Sequence, residues 1–205
     1  REAGVPAAAM QLLPGDGETV GAALTRASGI AGVLFTGSTE VARAIERTLA
    51  VHAAPDAVLV AETGGINAMV VDSTALPEQA VRDILASAFQ SAGQRCSALR
   101  ILYLQRDVAG PVLEMLCGAM DELRVGDPWS FDVDIGPVID DAALGDLRDY
   151  CERMTAAGRL VKRLDAPPRG RFVAPHVFRV SGIEEVGREV FGPVLHVATF
   201  EADAL

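Results

Sequence analysis

The sequence is poor in the residues that mark several functional classes. Its three cysteines, Cys96, Cys117 and Cys151, are odd in number and show no C-x-x-C spacing. That excludes a disulfide framework and a zinc knuckle. His52, His176 and His196 are equally scattered, so no metal site is expected. Basic residues are scarce: 18 Lys and Arg stand against 28 Asp and Glu, a net charge of −10. A duplex nucleic-acid surface wants a basic patch, and nucleic-acid binding is not expected. No apolar run approaches the ~20 residues of a membrane span, and no signal peptide is visible. The expectation is a cytoplasmic protein without membrane binding. There is no internal repeat and no low-complexity tract.

Apolar residues are abundant, half of the 205. That is enough for a sizeable core in one domain or two small ones. The pattern alternates between strand and helix. Ala8–Leu13 reads as a short strand ended by Pro14-Gly15-Asp16-Gly17, followed by a helix over Glu18–Ala27. A strand over Ala31–Phe35, a helix over Thr39–Ala50 and a strand over Ala57–Ala61 continue it. This βαβ order predicts a parallel sheet. Next come a strand at Ala68–Val71 and a helix from Pro77, with Val81, Ile84, Leu85, Ala88 and Phe89 at i, i+3, i+4, i+7 and i+8. Gly93 reads as its C′ stop. A strand over Ile101–Leu104, helices over Pro111–Leu123 and Ala142–Ala156, and a strand-rich end with a Pro167-Pro168 loop complete an α/β chain. Arg1-Glu2-Ala3-Gly4-Val5-Pro6 reads as the tail of a helix already under way. Glu201–Leu205 follows closely on an apolar strand. Both ends read as cuts through a larger fold.

In open α/β sheets ligands gather at the carboxyl ends of strands, and three features fall there. Pro14-Gly15-Asp16-Gly17 and Phe35-Thr36-Gly37-Ser38-Thr39 are strand-to-helix turns. The N–H groups of such a turn receive a phosphate, or serve only a capped helix start. Neither matches a dinucleotide or Walker fingerprint. The third feature is Glu62, followed by Gly64 and Gly65. It reads either as a solvated strand-end carboxylate or as a general base. In Gly93-Gln94-Arg95-Cys96-Ser97 a cysteine stands between a helix stop and an apolar strand. Alone, it reads as an inert core residue or as a reactive thiol on a fixed perch.

Six motifs then run in the order found in one family. Phe35-Thr36-Gly37-Ser38-Thr39-Glu40, Glu62-x-Gly64-Gly65, Gly93-Gln94-Arg95-Cys96, Gly126-Asp127-Pro128, Gly136-Pro137 and Glu189-Val190-Phe191-Gly192-Pro193 resemble the NAD(P)-dependent aldehyde dehydrogenases. The runs AETGGINAMVVD and SAFQSAGQRCSALR are most similar to the L-glutamate-γ-semialdehyde (Δ1-pyrroline-5-carboxylate) dehydrogenase module of bacterial proline utilisation A proteins. The resemblance implies an aldehyde dehydrogenase-like α/β fold. Residues 1–63 would form the C-terminal part of a Rossmann-like NAD-binding domain, and 64–205 a catalytic domain truncated at its C-terminus. It implies Cys96 as nucleophile and Glu62 as the base for the deacylating water. Glu189 would hold the nicotinamide-ribose hydroxyls, Phe191 would lie beside the nicotinamide, and Gly37 and Ser38 would form the pyrophosphate turn. Gly15 and Gly17 would form the adenine-side turn, and Ser97 would touch substrate. Arg95 is a candidate to favour the thiolate.

The implied cofactor is NAD, the implied substrate a small-molecule aldehyde. The resemblance also implies a homo-oligomeric parent fused to a flavin-dependent proline dehydrogenase domain. The family's ribose lysine and oxyanion-hole asparagine fall upstream of Arg1, and its substrate-gripping loop beyond Leu205, so this chain alone is expected to be inactive. Ala42 stands where many relatives have glycine. Two other readings stay open: a dehydrogenase for another aldehyde, and a non-catalytic nucleotide-binding or structural piece.

Overall fold

The computed structural model describes residues 3–204. Of the helix tail expected over residues 1–6, Arg1 and Glu2 lie outside the described residues, and residues 3–6 are a turn and irregular chain rather than helix. The chain divides into two compact units, residues 1–64 and 65–205.

The first unit holds a two-stranded parallel sheet, β1 (Gly32–Thr36) and β2 (Val58–Glu62), joined through helix α2 (Thr39–His52). Helix α1 (Ala22–Arg26) precedes β1 and is entered through a wide π-type turn over Gly17–Gly21. Asp16 starts that turn by accepting the Thr19 N–H. Ser38 caps α2 by accepting the Val41 N–H, satisfying a donor that helix geometry leaves orphaned. The strand expected at Ala8–Leu13 is absent. Ala7–Ala9 forms a short 3₁₀ turn, and residues 8–13 are exposed. Their apolar side chains suit a strand, but strand backbone needs a partner ladder, and none of the described strands pairs with them.

The second unit is a five-stranded sheet in the order β3-β4-β7-β6-β5. Its strands are β3 (Asn67–Val71), β4 (Leu99–Gln105), β5 (Leu160–Arg163), β6 (His176–Arg179) and β7 (Val194–Phe200). All neighbours are parallel except β5, which runs antiparallel to β6 at the edge. The apolar run Ile101–Leu104 within β4 suits a central strand covered on both faces. Leu102 and Leu104 point into the main core, shared with Ile84 and Phe89 of helix α3 (Pro77–Phe89) and Leu116 and Met120 of helix α4 (Arg106–Asp121). Ile101 and Tyr103 face the opposite cluster, with Val180, Ala198 and Val186 of the short helix α6 (Ile183–Val186). Leu147 and Cys151 of helix α5 (Asp141–Ala156) close the main core.

Two expectations shift. Helix α4 begins five residues before Pro111, which is accommodated inside it. Proline there removes one bond, to the Asp107 carbonyl, near the start of a sixteen-residue helix. Helix α3 ends at Phe89, before Gly93. A 3₁₀ turn over Gln90–Gly93 follows, in which Ser91, Ala92 and Gly93 all take positive φ, 56°, 53° and 66°. Left-handed backbone costs a non-glycine residue roughly 1–2 kcal/mol. The chain is therefore held in this turn by contacts elsewhere.

Candidate active site

Those contacts surround Cys96. The thiol-bearing residue sits on an exposed turn between the left-handed segment and β4. Three side chains hold the turn. Asn67, the first residue of β3, donates through Nδ2 to the carbonyls of Cys96 (2.6 Å) and Ala98 (2.9 Å). Gln94 donates to Pro137 O (3.2 Å) and Ser91 O (3.3 Å) and accepts from Ile139 N (2.8 Å). Arg100, fully buried on β4, donates to Gly93 O (2.7 Å) and Arg95 O (3.0 Å). Asn67 and Arg100 thus hold main-chain carbonyls of the turn, and Cys96 is exposed on a pinned main chain.

Arg100 also reaches the segment around Glu189. Its Nε and Nη2 donate to Glu189 Oε1 at 3.2 and 2.8 Å, and Nη1 lies 3.3 Å from Gly192 O. The guanidinium carbon stands 5.2 Å from the centre of the Phe191 ring. Glu189 is largely covered, its side chain 19% exposed. Phe191 is 45% exposed. Burial pulls the Arg100 guanidinium below its ordinary pKa, while the hydrogen bond and charge of Glu189, and the charge of a Cys96 thiolate, oppose that pull.

Cys96, Ser97, Glu189 and Phe191 are all parts of the second unit, the first two on the turn and the others on the segment that Arg100 ties to it. Ser97 is exposed beside Cys96. Arg95, the arginine expected to face the thiol, instead donates to Gln90 Oε1 at 2.6 Å. The charge opposed to a Cys96 thiolate is that of Arg100, four residues on.

The other site candidates lie in the first unit. Glu62 ends β2 opposite Thr36, and its carbonyl accepts the Gly37 N–H at 3.1 Å. Glu62 and the Gly37-Ser38 turn therefore share the carboxyl end of one parallel pair. The Glu62 side chain is exposed at this strand end. A Cβ on Gly37 would come within 2.4 Å of the Phe35 ring, and one on Gly15 within 2.2 Å of the Val20 side chain. Gly17 has open space around it. An open apolar hollow is lined by Leu13, Pro14, Val20, Ala23 and Leu24, which flank Gly15 and Gly17 in sequence.

Asn67, Gln94 and Arg100 carry no role in the sequence reading. Arg100 had a legible signal: a charged residue inside an apolar strand must find a buried partner. The site continues inward from it. His196, fully buried on β7, donates from Nδ1 to the Arg100 carbonyl (2.8 Å), so its Nε2 accepts from the Tyr150 hydroxyl at 2.7 Å. Burial pushes the Tyr150 phenol up to about 12 and the His196 imidazole below its ordinary value. Among the described residues no group of side chains is arranged to hold a metal ion, and no helix is long and apolar enough to cross a membrane.

Comparison with known proteins gives the family. The sequence model described as "Aldehyde dehydrogenase family" matches residues 1–204. The "Bifunctional protein PutA" of Klebsiella aerogenes is 51% identical over the whole chain, which spans 16% of that protein's length. A "1-pyrroline-5-carboxylate dehydrogenase" of a Geobacillus species is 36% identical over 95% of the chain, or 39% of the relative. The crystal structure of Bradyrhizobium japonicum proline utilization A mutant D778Y superposes with a TM-score of 0.93 at 51% identity, covering 99% of this chain and 21% of that one. With an α/β fold shared at this level over almost every residue, the chain belongs to the aldehyde dehydrogenase family.

Proposed function

We propose that this chain is part of an enzyme that oxidises L-glutamate γ-semialdehyde, formed from Δ1-pyrroline-5-carboxylate, to L-glutamate in proline catabolism, with NAD as cofactor. The observation that carries the reading is the pinned turn: Cys96 is exposed, its backbone is held by Asn67 and Arg100, and the same guanidinium holds Glu189. A bare binding module needs no thiol so presented. The high identity to proteins named PutA and the likeness to a 1-pyrroline-5-carboxylate dehydrogenase support the substrate. The bifunctional naming of the PutA relatives supports a parent that also carries a proline dehydrogenase domain. A homo-oligomeric, cytoplasmic parent completes the proposal.

The Cys96 sulfur, as thiolate, adds to the aldehyde carbon and gives a thiohemiacetal. Its oxyanion takes a hydrogen bond from the Cys96 N–H, which no backbone acceptor engages among the described residues. Bound NAD+ supplies the acceptor for the hydride that leaves this carbon. The carbon is then a thioester, and Glu62 takes a proton from the water that attacks it, releasing the carboxylic acid and the thiolate. Ser97 lies beside the nucleophile to touch substrate.

The residues suit this cofactor. Ser38 and Gly37 open α2, a fourteen-residue helix whose N-terminal dipole end favours a pyrophosphate. Gly15 and Gly17 lie in sequence between Pro14 and Val20, two of the residues that line the apolar hollow that suits the adenine side. Both Arg100 bonds to Glu189 end on Oε1, which leaves Oε2 for ribose hydroxyls. Phe191 has one face on Arg100 and its ring exposed beside the nicotinamide position.

The test is rapid-mixing measurement of NADH with the full-length protein and glutamate semialdehyde. Glu62→Gln is expected to keep a stoichiometric burst and slow steady turnover, and Glu189→Gln to slow the burst itself. Absence of NADH with this aldehyde but a burst with an unrelated one would reassign the substrate. Loss of the burst in Glu62→Gln with normal turnover afterwards would reverse the two acids.

A further inference from the structure

Arg100 has no exposed surface, yet it is charged. A guanidinium in a strand of Leu, Ile and Tyr carries a desolvation cost that an apolar residue would avoid. Its five hydrogen bonds recover that cost in an unusual way. They end on four acceptor groups: two carbonyls from the Cys96 turn (Gly93 and Arg95), one carbonyl beyond Phe191 (Gly192), and the Glu189 carboxylate. The two acceptor sets are about ninety residues apart in sequence and meet at one rigid, planar fork. Phe191 lies over the same group at 5.2 Å, within cation–π range. Behind it, the Arg100 carbonyl is held by His196, and His196 by Tyr150.

We propose that Arg100 is a positioning residue that sets the Cys96 turn and the Glu189–Phe191 segment in one register, so that thiol placement and cofactor placement are coupled through a single side chain. This rests on the roles proposed above for Cys96 and Glu189. Five donors in a fixed plane reach four acceptors at once, whereas a lysine offers a point charge and three donors on a flexible stem. Charge alone therefore does not replace it.

Two measurements decide this. Hydrogen–deuterium exchange of the protein reads the clamp without any turnover. In Arg100→Met, peptides covering 89–98 and 187–193 are expected to exchange faster together, by roughly tenfold or more, while helix α4 keeps its protection. Should the methionine variant not fold, Arg100→Lys, which keeps the charge opposite Glu189, carries the same comparison. Unchanged exchange, or a change in only one of the two segments, overturns the proposal.

In the full-length protein, Arg100→Lys is expected to lower kcat and raise the KM for NAD+ together, each by about tenfold. Adding Glu189→Gln to it should change that KM by no more than about twofold, because residues acting as one unit are not additive. Full multiplication of the two effects, or a fall in folded protein with kinetic constants unchanged, makes Arg100 a structural plug only. If the wild type forms no NADH from glutamate semialdehyde, the functional reading fails, and the exchange comparison still decides the clamp.

Discussion

Gly93 and Gly192 pass so closely that a Cβ on Gly93 would lie 2.1 Å from the Gly192 carbonyl oxygen. Gly93 also has φ of 66°, which side chains disfavour. Gly93→Ala is therefore expected to destabilise the fold by roughly 2 kcal/mol or more, with a melting temperature lower by ~5–10 °C. A melt within a degree of wild type would mean the turn relaxes freely and the close approach is unimportant.

The three thiols are expected to react in a fixed order. Cys96 is exposed; burial raises the Cys117 thiol, and pushes Cys151 up to about 12. The thiolate is the nucleophile toward iodoacetamide, so the half-buried Cys117 and the buried Cys151 are slowed twice, by access and by protonation. Peptide mapping after limiting reagent should find Cys96 labelled first and Cys151 last. Faster labelling of Cys117 would contradict the assignment of the exposed turn.

Acid should weaken the fold through two histidines. His176, stacked on Phe178 at 5.4 Å, and His196 both have pKa values lowered from 6.5, chiefly by burial. The unfolded chain takes up these protons near 6.5 and the folded chain resists them. The stabilisation is thus complete above that value and is lost as pH falls through the lower folded values. Each histidine contributes a slope of at most ~1.4 kcal/mol per pH unit. Urea midpoints should be flat above about pH 7 and fall below about 6.5, and His196→Gln should remove part of the slope. Rising stability on acidification through this window would show the histidines to be solvated.

The first unit carries an uncovered apolar patch. Leu34 and Val60 are register partners on one face of its sheet, 86% and 44% exposed. Parallel sheets are ordinarily covered on both faces, and exposed apolar strands associate. Light scattering of the 205-residue chain should show concentration-dependent association that Leu34→Lys reduces. The substitution should leave the melt within about 0.5 kcal/mol, as surface changes do. Identical scattering from both would place the sticky surface elsewhere.

Periodicity located most of the elements because burial enforces it. The i, i+3, i+4 spacing from Val81 to Phe89 marks the buried face of α3, and the run from Ile101 to Leu104 marks the middle of β4. It failed at Ala8–Leu13, where apolar text has no partner ladder, and at Gly93, whose glycine serves a close backbone approach rather than a helix stop. Motif order brought Cys96, Glu62 and Glu189 to notice. Asn67, Gln94 and Arg100 were not legible as a group, because their work is done on main-chain carbonyls far away in sequence. Such contacts leave no spacing pattern. Only the misfit of an arginine in an apolar strand hinted at them.

Arg100, the buried anchor of the Cys96 turn, sits on β4, which is flanked by β3 on one side and β7 on the other. A central strand opens only when its neighbours part, so this anchor shares the fate of the whole sheet. The consequence is thermal: the turn has no softer step at which to loosen ahead of the unit around it. Inactivation by heat should follow the melting curve of the second unit without an earlier, gradual decline. Its working range would then end as a cliff rather than a slope.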